Sequence, residues 1–135
     1  MSRIEVVAAI LSRDDTVLAC RRAPGKSAAG LWEFPGGKID NEETPPVALV
    51  REIREELGIA ITVGALIDRT VTEVNGVGID LLCYLVSSTE TPSTSTDHDE
   101  LRWVSRVSLH DLDWAKPDLP AVAILSDPNF PVSVA

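Results

Sequence analysis

The period of the hydrophobic positions changes along the chain, and each change marks an element. Residues 4–11, IEVVAAIL, are apolar almost without interruption, and a run that short predicts a buried strand. Residues 16–20, TVLAC, predict its partner across a turn at Arg13-Asp14-Asp15. A loop rich in small residues follows at 23–30, and then LWEFP at 31–35, a short strand that puts Trp32 and Phe34 on one face and Glu33 on the other. Residues 61–74 and 77–86 predict two strands joined around Asn75-Gly76, a strong hairpin signal. The low-complexity run at 87–96, SSTETPSTST, predicts a mobile loop. A short strand at 101–104, a short helix at 108–112 and an apolar final helix at 121–125 complete the chain.

Between Gly36 and Ile59 the period is helical. At about 100° per residue, Pro46, Leu49, Val50, Ile53 and Leu57 fall on one arc that can be buried. Glu52, Glu55 and Glu56 fall on another. Thr44 suits the N-cap, Pro45 the first helical position and Gly58 the C-cap, so the helix has defined ends. Carboxylates this close repel, which calls for a positive partner; a divalent cation with oxygen ligands meets that need, and a solvated acidic face is the alternative. Gly36 and Gly37 supply a loop where backbone can approach a ligand closely. Glu43 can pair with Arg51 and so orient the neighbouring carboxylates.

At 135 residues the chain is one domain long, 44% hydrophobic and 24% charged. Its net charge of −9 argues against a nucleic-acid polymer or an anionic membrane as partner, though not against a nucleotide neutralised locally. Cys20 and Cys83 sit in apolar contexts without ligand spacing, which reads as reduced core thiols. No signal peptide or membrane-length run is present, so a cytoplasmic location is expected by default. No interface helix or repeat stands out, and a monomer or homodimer is expected.

The run GGKIDNEETPPVALVREIREELGI matches the Nudix signature G-x5-E-x7-R-E-U-x-E-E-x-G-U (U aliphatic) at every fixed position, from Gly37 and Glu43 through Arg51, Glu52, Ile53, Glu55 and Glu56 to Gly58 and Ile59. The chain therefore resembles the Nudix hydrolases, and LWEFPGGK is typical of their MutT-like branch. The resemblance implies an α/β fold, the Nudix α/β/α sandwich, with a mixed sheet between helices and the box as loop-helix-loop, over a single domain of residues 1–135. It implies Mg²⁺, with Mn²⁺ as a substitute, held by Glu52, Glu55, Glu56, the Gly36 carbonyl and Asp97. Glu52, Glu55 and Asp97 are the candidates for general base, and Glu43 and Arg51 fix the others. Water would attack a nucleoside triphosphate and release a nucleoside monophosphate and pyrophosphate. A non-catalytic nucleotide-binding module of the same family is the alternative from another class.

Outside the box the candidates are less specific. By resemblance Arg22 contacts phosphate, with surface ion pairing as its alternative, and Gly36, Gly37 and Lys38 line the substrate site. Glu33 either accepts hydrogen bonds from a base or is an exposed strand carboxylate. Asp97, six positions before Trp103, either joins the metal site or caps its loop. His98 reads as solvated in a polar loop, and His110 is given no role. Asp118 lies in an N-cap setting, yet in the MutT branch this place reads the base, and the 8-oxo-dGTP antimutator has asparagine there. An ionised carboxylate suits the exocyclic amino group of cytosine. With IEVVAAI and GLWEF, it makes the chain similar to the CTP pyrophosphohydrolase group, which takes CTP, dCTP and modified relatives such as 5-methyl-dCTP. An 8-oxo-dGTP diphosphatase is the second expectation.

Overall fold

The computed structural model describes residues 2–132. Its central strand, β1 (Ser2–Arg13), runs parallel to β6 (Val77–Ser87) from Ser2↔Val77 to Leu11↔Val86. Strand β5 (Thr62–Val74) closes the hairpin with β6 antiparallel, and Asn75 and Gly76 both take positive φ, 51° and 81°, as a two-residue turn between right-twisted strands requires. The other edge of β1 is shared. Strand β4 (Gly36–Lys38) pairs with Val6–Ala8, and β2 (Thr16–Arg22) pairs with its end at Ser12 and Arg13. Strands β3 (Trp32–Glu33) and β7 (His98–Ser105) flank β2. The sheet is thus mixed, as expected.

Alternation along β1 explains its uninterrupted apolar run. Val7, Ala9 and Leu11 face one buried cluster, and Ala8 and Ile10 face another. The first cluster is covered by α1 (Pro45–Leu57) through Ala48, Leu49, Ile53 and Leu57. The second is covered by α2 (Leu119–Leu125) through Ala121, Val122 and Leu125, with Leu109 from the 3₁₀ helix Arg106–Asp111. Each such aliphatic side chain removed from water contributes about 1.5–3 kcal/mol. Cys20 and Cys83 are free and lie in opposite clusters, so the sheet itself separates the two thiols. No helix among the described residues is long and apolar enough to cross a membrane.

Several expectations need correcting. Pro46 and Val50 do not belong to the buried stripe of α1; Val50 is 39% exposed, and the stripe runs through Ala48, Leu49, Ile53 and Leu57 and also takes in Glu56. The helix pitch allows either arc, and docking on β1 chooses this one. Thr44 occupies the N-cap with extended backbone but makes no side-chain cap, while Gly58 closes the helix at φ 70° with its N–H donating to the Arg54 carbonyl. The glycine pair forms a strand rather than a free loop. The 87–96 segment is irregular yet anchored: Ser88 Oγ donates to the Ala60 carbonyl at 2.6 Å and Glu90 Oε2 accepts from Ala60 N–H at 2.7 Å.

The C-terminal layer depends on a residue that no periodicity marks. Arg106, 4% exposed, donates from Nε to the Leu125 carbonyl at 2.9 Å and from Nη2 to the carbonyls of Asp127 and Phe130, each at 2.6 Å. It thereby satisfies backbone acceptors past the end of α2. Replacing it with alanine should cost about 2 kcal/mol or more in a urea unfolding experiment, because those carbonyls lose their donor. Arg106→Lys should recover only part, since an ammonium lacks the planar fork; full recovery would show that charge alone matters.

Candidate active site

Strand β4 brings two glycines into close contact with their neighbours, Gly36 with backbone and Gly37 with the end of a side chain. A Cβ at Gly36 would lie 1.9 Å from the Val7 carbonyl oxygen, and one at Gly37 would lie 2.3 Å from Glu52 Oε2. The first contact is with fixed backbone and sets the spacing of β4 on β1. The second brings the head of Glu52 directly onto the glycine backbone.

Arg51 organises the carboxylates around it. Its Nε and Nη2 donate to Glu43 at 2.7 and 2.9 Å, a bidentate pairing, and Nη1 donates to Glu52 at 2.9 Å and Glu55 at 3.2 Å. Nη2 also reaches the Lys38 carbonyl at 3.2 Å, tying the helix to β4. The Arg51 hydrogen bonds hold the Glu43 carboxyl below its usual range, helped by the Asp40 N–H. Glu43 and Arg51 are therefore in the arrangement the sequence suggested, and Glu52 and Glu55 converge on the same guanidinium.

Glu56 points the other way, into the protein, at 5% exposure. Burial raises its carboxyl to about 9, with the charges of Glu33, Asp97 and Glu52 adding to the effect. Its Oε1 is buried without a hydrogen bond; His98 Nδ1 stands 3.2 Å away, close enough for an ionic contact but not in hydrogen-bonding geometry. Next to it, His98 Nε2 lies 2.8 Å from Glu33 Oε2 and Nδ1 lies 2.7 Å from Ser95 Oγ. The solvated loop position expected for His98 is wrong: β7 begins at this residue, pairs it with Arg22, and buries its side chain completely. The acidic neighbours Asp97, Asp99 and Glu100 hid a strand start that the pattern placed at Leu101.

Beside this cluster lies a cleft of about 580 Å³, within the usual range for small-molecule sites. Arg22, Glu33, Gly36, Gly37, Lys38 and Asp118 all line it, over an apolar floor that includes Val6, Ala8, Phe34 and Leu81. Glu33 thus faces the cleft rather than bulk solvent. Arg22 is held by the Ser27 carbonyl at 3.0 Å and stands 3.5 Å from Glu33, so ion pairing and a place in the cleft coexist. Asp97 is outside the cleft lining and is paired with Lys26 Nζ at 3.1 Å, a partner that nothing in the sequence singled out.

Asp118 occupies the N-cap position of α2, as the sequence suggested, but its side chain makes no cap; its Oδ1 accepts the Phe34 N–H at 3.0 Å, and it is 5% exposed. Burial pushes its carboxyl well above the ordinary range, against the lowering effect of that hydrogen bond. Asp118 therefore holds its proton more tightly than the ordinary carboxyl assumed from the sequence.

The chemistry of the donor set fits a cation. A buried, unpartnered carboxylate oxygen on Glu56 amid the charges of Glu33, Asp97 and Glu52 is an acceptor that a divalent ion would satisfy. Among the described residues, no group of three or more His, Cys, Asp or Glu side chains is already drawn into ligating geometry. Glu52 and Glu55 are turned to Arg51 instead.

An acidic helix at the rim of a nucleotide-sized cleft, pinned to a glycine strand, defines a hydrolase for a polyphosphate substrate. Residues 1–124 match the NUDIX domain, and the chain belongs to the Nudix family. It is 41% identical over 120 residues to the CTP pyrophosphohydrolase of Escherichia coli K12, covering 89% of each chain. It is 31% identical over 126 residues to the 8-oxo-dGTP diphosphatase of the same organism, covering 93% of this chain and 98% of that one. The solution structure of MutT from methicillin-resistant Staphylococcus aureus 252 superposes with a TM-score of 0.76 at 36% identity, covering 93% of this chain and 98% of that one. The chain is a MutT-like nucleotide pyrophosphohydrolase, and Nudix hydrolases in general use divalent cations.

The glycine contacts should separate stability from activity. Gly36→Ala should cost about 3 kcal/mol or more, because its Cβ meets backbone. Gly37→Ala should leave unfolding nearly unchanged but lower kcat by about 10²-fold, because its Cβ displaces only the flexible end of Glu52. Thermal unfolding and turnover measured on both variants check this, and equal losses in both would contradict it.

Glu56 gives a pH signature. A carboxyl raised from 4.5 to about 9 binds more protons folded than unfolded, so its stabilising contribution is full below the lower value and lost as pH climbs toward the higher. In EDTA, Tm should therefore fall across this window more steeply in the wild type than in Glu56→Gln. Identical slopes would mean that Glu56 titrates normally.

Proposed function

We propose that this protein hydrolyses cytosine nucleoside triphosphates, CTP, dCTP and relatives such as 5-methyl-dCTP, to the monophosphate and pyrophosphate with Mg²⁺. The observation that carries the reading is Asp118, a buried carboxyl in the cleft whose Oδ1 is oriented by the Phe34 N–H. A carboxyl that keeps its proton offers an acceptor beside a donor. Cytosine presents the complement: an exocyclic amino group beside the ring N3. Glu33, facing the same cleft, supplies a further acceptor. The similarity to a CTP pyrophosphohydrolase over most of both chains agrees with this choice.

In this reading Glu52, Glu55, Glu56, Asp97 and the Gly36 carbonyl hold the cation. When bound, it offsets phosphate charge and lowers the pKa of the attacking water. Arg51, fixed by Glu43, holds Glu52 and Glu55 side by side at the helix surface, where they would ligate the cation. Arg22 and Lys38, both lining the cleft, bind the polyphosphate and align it for attack. Of the three candidates for general base, Glu52 is best placed, because its carboxylate presses on Gly37 in the cleft wall. Such a base contributes about 10²–10⁴-fold.

A second reading rests on the same carboxyl. The adjacent N7–H and O6 of 8-oxoguanine also match a donor beside an acceptor, and the similarity to an 8-oxo-dGTP diphosphatase extends over nearly the whole chain. Pyrophosphate release from CTP, dCTP, 5-methyl-dCTP, dGTP and 8-oxo-dGTP decides between them. The expected result is a cytosine preference that drops about 10-fold or more in Asp118→Ala but is largely kept in Asp118→Asn, whose amide also sets an acceptor beside a donor. Preference for 8-oxo-dGTP would overturn the substrate assignment. Glu56→Gln should reduce turnover of every substrate by about two orders of magnitude with the fold retained.

A further inference from the structure

Adjacent residues of one loop hold the two halves of the site. Ser27 fixes Arg22, its carbonyl accepting from Nε at 3.0 Å and its Oγ from Nη2 at 3.3 Å. Lys26, the residue before it, sends its ammonium to Asp97 Oδ1 at 3.1 Å. Ser27 and Ala28 line the cleft, and Ala28 is held at a positive φ of 57°. Asp97, on the other side of the pair, stands close enough to the carboxylate cluster for its charge to act on Glu56.

We propose that Lys26 is a phosphate-binding residue that rests on Asp97 in the nucleotide-free protein and exchanges it for the polyphosphate, so that nucleotide entry releases Asp97 for the cation. The proposal rests on the function proposed above. A polyphosphate bound to the Arg22 guanidinium lies against Ser27, one residue from Lys26, and a flexible four-carbon stem lets the ammonium follow it. The pair that Lys26 leaves is weakly held. Its side chains are 45% and 34% exposed, and an ion pair so open to water is easily exchanged. The loop does not need the pair as an anchor, since the Ala23 N–H donates to the Asp97 carbonyl at 3.1 Å and the Gly30 N–H to the Arg22 carbonyl at 3.0 Å. The two partners of Asp97 exclude each other, because an ammonium and a divalent ion on one carboxylate repel at close range.

Lys26→Met, Asp97→Asn and the double variant test the exchange with two ligands taken one at a time. These are Mn²⁺ alone, read by electron paramagnetic resonance, and CTP in EDTA, read by isothermal titration calorimetry. Lys26→Met should weaken CTP by about 3-fold and tighten Mn²⁺ by a similar factor, since it removes a phosphate contact and a competing cation in one step. A merely structural contact would weaken both ligands together with a fall in Tm, and that result would overturn the proposal. Asp97→Asn should tighten CTP about 3-fold in the wild type by freeing Lys26, yet leave CTP unchanged in the Lys26→Met background. Lys26→Met should likewise leave Mn²⁺ unchanged in the Asp97→Asn background. Additive effects in either cycle would show repulsion spread over the site rather than exchange between these two groups, and would sink the proposal. A wild type that binds neither Mn²⁺ nor CTP overturns the proposed function, and this inference with it. Binding of both, with the same affinities in Lys26→Met, overturns this inference alone.

Discussion

The close approach of β4 to its neighbours is the constraint from which the site is built. Gly36 rests on the Val7 carbonyl and Gly37 on the Glu52 carboxylate, so strand, helix and cleft wall share one contact line. A side chain at Gly36 would lift β4 from β1, and one at Gly37 would displace the Glu52 carboxylate. The Arg51 bond to the Lys38 carbonyl, the residue after the glycines, holds the same line from the helix side. The buried stripe from Ala48 to Leu57 then supplies the apolar area that keeps α1 pressed down.

Holding the backbone this way gathers many carboxylates into little space, and the fold manages the repulsion by dividing them. Glu43, Glu52 and Glu55 share a single arginine, which offsets part of their charge at the rim where water still screens the rest. Glu33 and Glu56 go to His98, and Glu56 remains incompletely satisfied. Leaving a buried acceptor without a donor costs about 1–3 kcal/mol, a cost that a globular core does not normally carry. It is tolerable where a ligand will supply the missing partner, and this places the strain at the site rather than in the framework.

How much of this was legible in the sequence follows from what periodicity records. The strands of β1 and β2, the Asn75-Gly76 turn and the ends of α1 were readable because each has a local cause: an apolar run bounded by a turn, positive φ and a glycine stop, whereas the parallel pairing of β1 with β6 has none. The Glu43–Arg51 pairing was readable as well, since both lie in one short segment of fixed spacing. The buried arc of α1 was not, because Val50 and Ala48 are near equivalents by pattern and only docking separates them. His98, Lys26 and Arg106 escaped for another reason: each acts on a partner far along the chain or in another layer, from Glu33 across 65 positions to the carbonyls beyond α2. Asp118 was found, but not the burial that makes it a weaker acid, since desolvation depends on what stands around a residue and not on what precedes it.

The division of labour between the two ends explains how one scaffold serves related substrates. The chemistry at the phosphates needs only α1, β4 and their cation, all within the box. Recognition of the base draws on β3, the Phe34 N–H and Asp118, which come from outside it. Asp118 is seated on the second apolar cluster, where Phe34 packs on Trp114 at 4.7 Å, and α1 is seated on the first. A change in the base reader can therefore be absorbed on one face of the sheet without disturbing the carboxylates on the other. The buried imidazole of His98 stands at the seam between the two, hydrogen-bonded to Glu33 and 3.2 Å from Glu56.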